Sequence, residues 1–218
     1  MVKKLPQPIS KEDFDKLLEE LKILRDSYIM PRKNTLKPRG KTIQEYLICV
    51  ILGFGSGMRI SEILGLKKSY NYKYLNKKTN QIEVRTQVCD IEPLVPQNIE
   101  NNFIRVIGAK GGKDRVVPLP TKLFKKVGIS RNELIEYLPL KVKRSSLQKF
   151  FKDLGKKVLG KEISFHKLRH GFGTHALESG VDVHQVQMFM GHSRLDTTGL
   201  YLHANPKQAL DKYEEISW

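Results

Sequence analysis

The sequence predicts a mainly α protein with one small antiparallel β-sheet, an α+β fold. Apolar residues recur at helical spacing through most of the chain. Residues 81–88 and 103–107 have the composition of short strands, and 115–119 follows a glycine-bearing turn at Gly111-Gly112. Periodicity near 3.6 marks helices, while short β-branched runs beside glycine turns mark hairpin strands.

Ser10 followed by Asp13 resembles a capping box, and Phe14, Leu17, Leu18, Leu21 and Leu24 then keep to one face, which predicts a helix over about 11–26. Residues 31–41 hold two prolines, a glycine and the cations Arg32, Lys33, Lys37, Arg39 and Lys41, the signature of a basic linker. From Ile43 to Phe54 the apolar positions make a buried helix closed by Gly53, Gly55 and Gly57, and a short amphipathic turn spans Ile60–Leu66. Asp90–Asn102 reads as loop. After Pro120, helices are expected at about 130–138, 145–157, 164–178, 182–190 and 206–215, with Gly180 and Gly191 as stops. Residues 1–41 are expected to belong with a catalytic domain over 42–218, with an insertion at about 70–102 and no separate core-binding domain.

The balance of 39 Lys plus Arg against 23 Asp plus Glu leaves a net charge of +16, which points to a polyanionic partner. The two cysteines, Cys49 and Cys89, show no zinc spacing, and the longest apolar run, Tyr46–Phe54, is too short to cross a bilayer. The reading is a cytoplasmic, nucleoid-associated protein without membrane contact.

The chemistry concentrates in the C-terminal third: His166-Lys167-Leu168-Arg169-His170, Gly191-His192-Ser193 and Tyr201. His166 and Arg169, three apart, share a helix face, with Leu168, Phe172 and Leu177 toward the core. A metal site at His166 and His170 competes, but Lys167 and Arg169 set positive charge beside the would-be ligands and no carboxylate stands at ligand spacing. Phosphoryl transfer suits these residues better. A phosphodiester under attack gains negative charge that Arg59 and Arg169 can hold through forked hydrogen bonds. A tyrosine phenol, with a pKa of about 10, needs a neighbouring base such as His166. The leaving sugar oxygen needs a proton, which Lys110 beside Gly111-Gly112 can deliver, with Lys113 as its rival.

From about Ile43 to His203 the chain resembles the tyrosine recombinases and phage-type integrases, in their Xer-like form. Gly57-Met58-Arg59-Ile60-Ser61-Glu62-Ile63 is similar to that family's first arginine box, and Lys110-Gly111-Gly112-Lys113-Asp114-Arg115 to its β-hairpin lysine motif. His166-Lys167-Leu168-Arg169-His170 is similar to its H-x-L-R-H box, and Gly191-His192-Ser193 with Thr197-Thr198-Gly199-Leu200-Tyr201 completes the order. The resemblance implies the tyrosine recombinase catalytic-domain fold and a catalytic set of Arg59, Lys110, His166, Arg169, His192 and Tyr201, with Glu62 in support. It also implies a 3′-phosphotyrosine intermediate, no metal and no cofactor. The partner would be double-stranded DNA, bound as a homo-tetramer on paired sites that passes through a Holliday junction; without DNA a monomer is possible. The helix at 206–215 would be exchanged between protomers. Charge and motif neighbourhood add Lys67, Arg115, Lys167 and Arg194 as DNA contacts. Two other readings are a type IB topoisomerase-like nicking-closing activity and a non-catalytic helix-turn-helix protein in which 183–190 is the first helix.

Overall fold

The computed structural model describes residues 8–28, 38–76, 78–108, 114–191, 210 and 213–217. Eight α-helices and four strands are described: α1 Lys11–Asp26, α2 Pro38–Gly55, α3 Ile60–Leu64, β1 Leu66–Asn76, β2 Gln81–Ile91, β3 Phe103–Val106, β4 Arg115–Pro118, α4 Thr121–Lys126, α5 Arg131–Tyr137, α6 Arg144–Leu159, α7 Phe165–Glu178 and α8 Val183–Met190. The protein is mainly α with small antiparallel sheets.

The central element is α2, apolar on every side from Tyr46 to Phe54, with Leu47 through Leu52 buried without residual exposure. A helix apolar all round belongs in an interior. It packs between α1 and α7, and the Phe14 and Phe54 rings stack with centroids 3.8 Å apart. Helix α1 begins where the capping residue said it would, with the Asp13 amide donating to Ser10 Oγ at 3.1 Å. A second apolar cluster joins Phe172 and Ala176 on α7 to Val186, Phe189 and Met190 on α8. Leu210, Tyr213 and Ile216 close it from the C-terminal end, where the Tyr213 hydroxyl donates to the Gly55 carbonyl.

Several local expectations change. Helix α2 takes in residues 38–42, so helix replaces the end of the supposed linker. Helix α3 stops at Leu64, because Gly65 turns the chain with φ of 75° and Leu66 enters a strand. The strands divide between two sheets, β1 with β2 and β3 with β4, rather than sharing one. Leu66 pairs with Ile91 and Asn76 with Gln81, so part of the supposed insertion is a regular two-stranded ribbon. Helix α4 was not anticipated; its six residues carry too few apolar positions to show a period. Leu177 is exposed at 44% instead of facing the core. The helix expected at 206–215 lies mostly outside the described residues. Among the described residues no helix is long and apolar enough to cross a membrane.

Candidate active site

The site is assembled where the end of α2, the start of α3 and the C-terminal end of α8 meet. Gly57, with φ of 65°, turns the chain out of α2 under the Phe172 ring, and a Cβ there would lie 2.5 Å from that ring. The turn delivers Arg59 to the N-cap of α3 in extended conformation. Its backbone N–H donates to Glu62 Oε2 at 2.7 Å and its Nη1 to Glu62 Oε1 at 2.8 Å, so one carboxylate both caps the helix and holds the guanidinium.

Glu62 is itself buried, and Arg115 at the start of β4 meets it with a two-pronged pair, Nη1 to Oε1 at 2.9 Å and Nη2 to Oε2 at 2.8 Å. Burial by itself would raise the Glu62 carboxyl; the Arg115 and Arg59 hydrogen bonds outweigh it and hold the group below the usual carboxylate range.

Helix α8 ends at Gly191 in left-handed conformation, with φ of 57°. Its final carbonyls each take one arginine: Arg115 Nε donates to Phe189 O at 2.7 Å, Arg169 Nη2 to Met190 O, and Arg59 Nη2 to Gly191 O at 3.3 Å. The last carbonyls of a helix lack internal partners and carry its negative dipole end, so guanidinium donors are favoured there. Arg169 spans the site, since its Nη1 also donates to Gly57 O at 2.6 Å. Its side chain is buried, and burial together with the Arg59 and Arg115 charges pushes its pKa down to about 9, still protonated at neutral pH. Three guanidiniums thus face one carboxylate, leaving an excess of positive charge.

Beside them opens a cavity of about 280 Å³ whose polar lining includes Arg59, Arg144, Gln148, Ser164, His166 and Arg169. His166, one turn before Arg169 on α7, stands at its rim with its ring edge-on to His170, centroids 4.5 Å apart. Partial burial, then the charges of His170, Arg169 and Arg59, lower its pKa, so the imidazole is neutral at neutral pH and can accept a proton. The arrangement suits a bound phosphodiester: it offers fixed positive charge for the phosphate oxygens and a neutral base beside them.

Of the residues singled out from sequence, the fold brings Arg59, Glu62, His166 and Arg169 together. Arg115 joins them from the interior. Its side chain, expected from sequence at the DNA, is 7% exposed and engaged in an internal ion pair with Glu62. Lys67 is exposed and lies 3.3 Å from Glu92 and 3.7 Å from Asp90, and Lys167 is half-buried. Lys110, Lys113, His192, Arg194 and Tyr201 lie outside the described residues. Sequence reasoning did not find Arg144 and Gln148; a basic residue opening a helix carries no signal of which cavity that helix borders.

The phage integrase family model matches residues 9–208, and the chain belongs to that family. The tyrosine recombinase XerA of Pyrococcus furiosus is 29% identical over 226 residues, covering 99% of this chain and 63% of that protein. The chain therefore spans less than two thirds of that relative's length. Among solved structures, the integrase from mycobacterium phage Brujita superposes with a TM-score of 0.59 at 19% identity, over 100% of this chain and 60% of that one. The XerH site-specific recombinase in a post-cleavage complex with its difH substrate gives 0.56 at 20% identity, over 99% of this chain and 54% of that one. These two similarities establish the fold.

Proposed function

We propose that the chain is the catalytic part of a site-specific DNA recombinase that breaks and rejoins DNA through a 3′-phosphotyrosine at Tyr201. The observation that carries this reading is the convergence of Arg59, Arg169 and a neutral His166 on one cavity. Family membership supplies the nucleophile by motif.

In this mechanism Arg59 and Arg169 hold the non-bridging oxygens of the scissile phosphate. The Tyr201 phenol oxygen attacks phosphorus and its proton passes to His166. The bond from phosphorus to the 5′ oxygen breaks, and that oxygen takes a proton from Lys110 and leaves as a hydroxyl. His192 adds a hydrogen bond to the phosphate. A 5′-hydroxyl from a second strand then reverses the steps and completes exchange, and the covalent link conserves the bond so that no external energy is required. The excess of positive charge matches the second negative charge that the phosphate develops under attack. Arg169, by holding Gly57 O and Met190 O, sets the spot from which the chain departs toward His192 and Tyr201.

The proposal includes double-stranded DNA as partner, a homo-tetramer on paired sites and a location in the cytoplasm at the nucleoid. It does not extend to the helix-turn-helix reading, in which α8 would be free to pack against a groove-reading helix. Here the last carbonyls of α8 are held by Arg59 and Arg169, which line the cavity, and by Arg115 behind them.

The test is incubation with a nicked duplex carrying a candidate site, followed by a denaturing gel. A protein–DNA adduct formed by the wild type and absent in Tyr201→Phe supports the reading. Equal adduct from both proteins, or tight binding with no adduct on any nicked duplex, overturns it.

A further inference from the structure

The β1–β2 ribbon stands outside the cavity and the two apolar clusters. Its strands pair residue for residue over 11 positions, and nearly every side chain beyond its root is exposed. At about 3.3 Å per residue it is roughly 35 Å long, close to one turn of B-form DNA. A two-stranded ribbon is also the width that a major groove of about 12 Å admits.

Its two faces differ. One carries Tyr70, Tyr72 and Tyr74 in a row, with neighbouring ring centroids 6.5 and 6.2 Å apart. On the same face Arg85 Cζ sits 4.3 Å from the Tyr74 ring centre, Lys68 Nζ sits 6.0 Å from that of Tyr70, and the Tyr70 hydroxyl donates to Gln87 at 2.7 Å. The rings hold the long cations over a flat polar surface, the residue mixture that meets sugar-phosphate backbone and groove edges. The other face exposes Leu75, Ile82, Val84 and Val88.

Charge separates the candidate occupants. Residues 66–91 hold Lys67, Lys68, Lys73, Lys77, Lys78 and Arg85 against only Glu83 and Asp90. Two copies apposed along this ribbon would bring like charge together, whereas a duplex offers complementary charge along its whole length. The root of the ribbon, Leu66, is two residues beyond α3, whose N-cap is Arg59. The ribbon is thus rooted seven residues along the chain from Arg59, which lines the cavity.

We propose that the β1–β2 ribbon is a second DNA-contacting element, laid along the duplex next to the cavity with its tyrosine face and basic turn against the groove. The proposal takes its partner from the reading of the cavity but needs no cleavage.

Two variants test it. One replaces the cations, Lys68→Ser, Lys73→Thr, Lys77→Ser, Lys78→Ser and Arg85→Thr. The other joins Lys68 to Cys89 through an Asn-Gly turn, which removes the ribbon without relying on its folding. Affinity for a long duplex is measured across a salt titration, with adduct yield on a short nicked duplex at saturating protein beside it. Both variants should bind about tenfold or more weakly at moderate salt, with the slope of log affinity against log salt reduced by roughly 3. Adduct yield on the short duplex should be unchanged.

An unchanged salt slope in both variants overturns the proposal. So does loss of self-association in Ile82→Thr/Val84→Thr/Val88→Thr with duplex affinity untouched by the cation changes, which would assign the ribbon to a second copy. A reduced slope with no adduct from the wild type supports the ribbon while overturning the cleavage reading.

Discussion

Arg115 and Glu62, 53 residues apart, form a two-pronged ion pair in the interior, and the same carboxylate positions Arg59 at the rim of the cavity. The pair joins the β3–β4 sheet to the start of α3, and Arg115 also reaches the end of α8 through Phe189 O. One arginine thus ties together α3, β4 and α8.

Removing one partner of a buried pair costs about 3–5 kcal/mol where the other charge is left uncompensated. Glu62 keeps its bonds to Arg59, so Arg115→Met is expected to destabilise the protein by less than that in denaturant unfolding. Arg115→Lys should retain more stability yet form adduct more slowly, since an ammonium cannot make the forked contact. Equal adduct rates for Arg115→Lys and wild type would show that the fork does not position Arg59.

Glu62 also predicts a pH dependence. Its carboxyl is lower in the folded protein than in the unfolded chain, so its stabilising contribution is complete above the unfolded value of about 4.3. That contribution is lost as pH falls through the still lower folded value. Acid unfolding of Glu62→Gln should therefore show a shallower loss of stability below about pH 4 than that of the wild type.

His166 has its pKa lowered from the free-imidazole value, so a mechanism in which it accepts the phenol proton keeps it competent at neutral pH. Single-turnover adduct formation should hold from neutral pH down to the lowered value and fall only below about 6.5. His166→Gln should cut the rate by about two orders of magnitude or more and abolish that acid limb. An acid limb retained in the variant would assign the titration to another group.

Arg169 donates to Gly57 O and Met190 O, and lysine cannot span both. Arg169→Lys should lower stability by about 1–3 kcal/mol through an unsatisfied buried carbonyl. Amide hydrogen exchange near Met190 and Gly191 should accelerate by more than global destabilisation accounts for.

Gly57→Ala combines a left-handed backbone position with a methyl placed against the Phe172 ring. The backbone cost is about 1–2 kcal/mol and the overpacking about 1–3 kcal/mol more. Thermal unfolding should register a Tm lower by several degrees.

Much of this protein was legible from spacing along the chain. The 3.6-residue period of Phe14, Leu17, Leu18 and Leu21 and the oxygen of Ser10 placed α1 without reference to anything distant. His166 and Arg169 lie one turn apart, so any helix over that stretch puts them side by side. The family motifs named the remaining candidates because their order and residue types survive in the linear string.

Other features follow from contacts between distant segments. Nothing near Arg115 in sequence distinguishes an arginine for phosphate from one for a buried carboxylate. The choice rests on Glu62 being brought to it from α3 and Phe189 O from α8. The division of the strands into two sheets and the entry of Arg144 into the cavity wall likewise depend on which surfaces the packing of α1, α2 and α7 leaves available. Local propensity is carried by a few neighbouring residues and can be read from them. Burial and charge pairing are properties of a folded neighbourhood, and here that neighbourhood is drawn from α3, β4, α7 and α8.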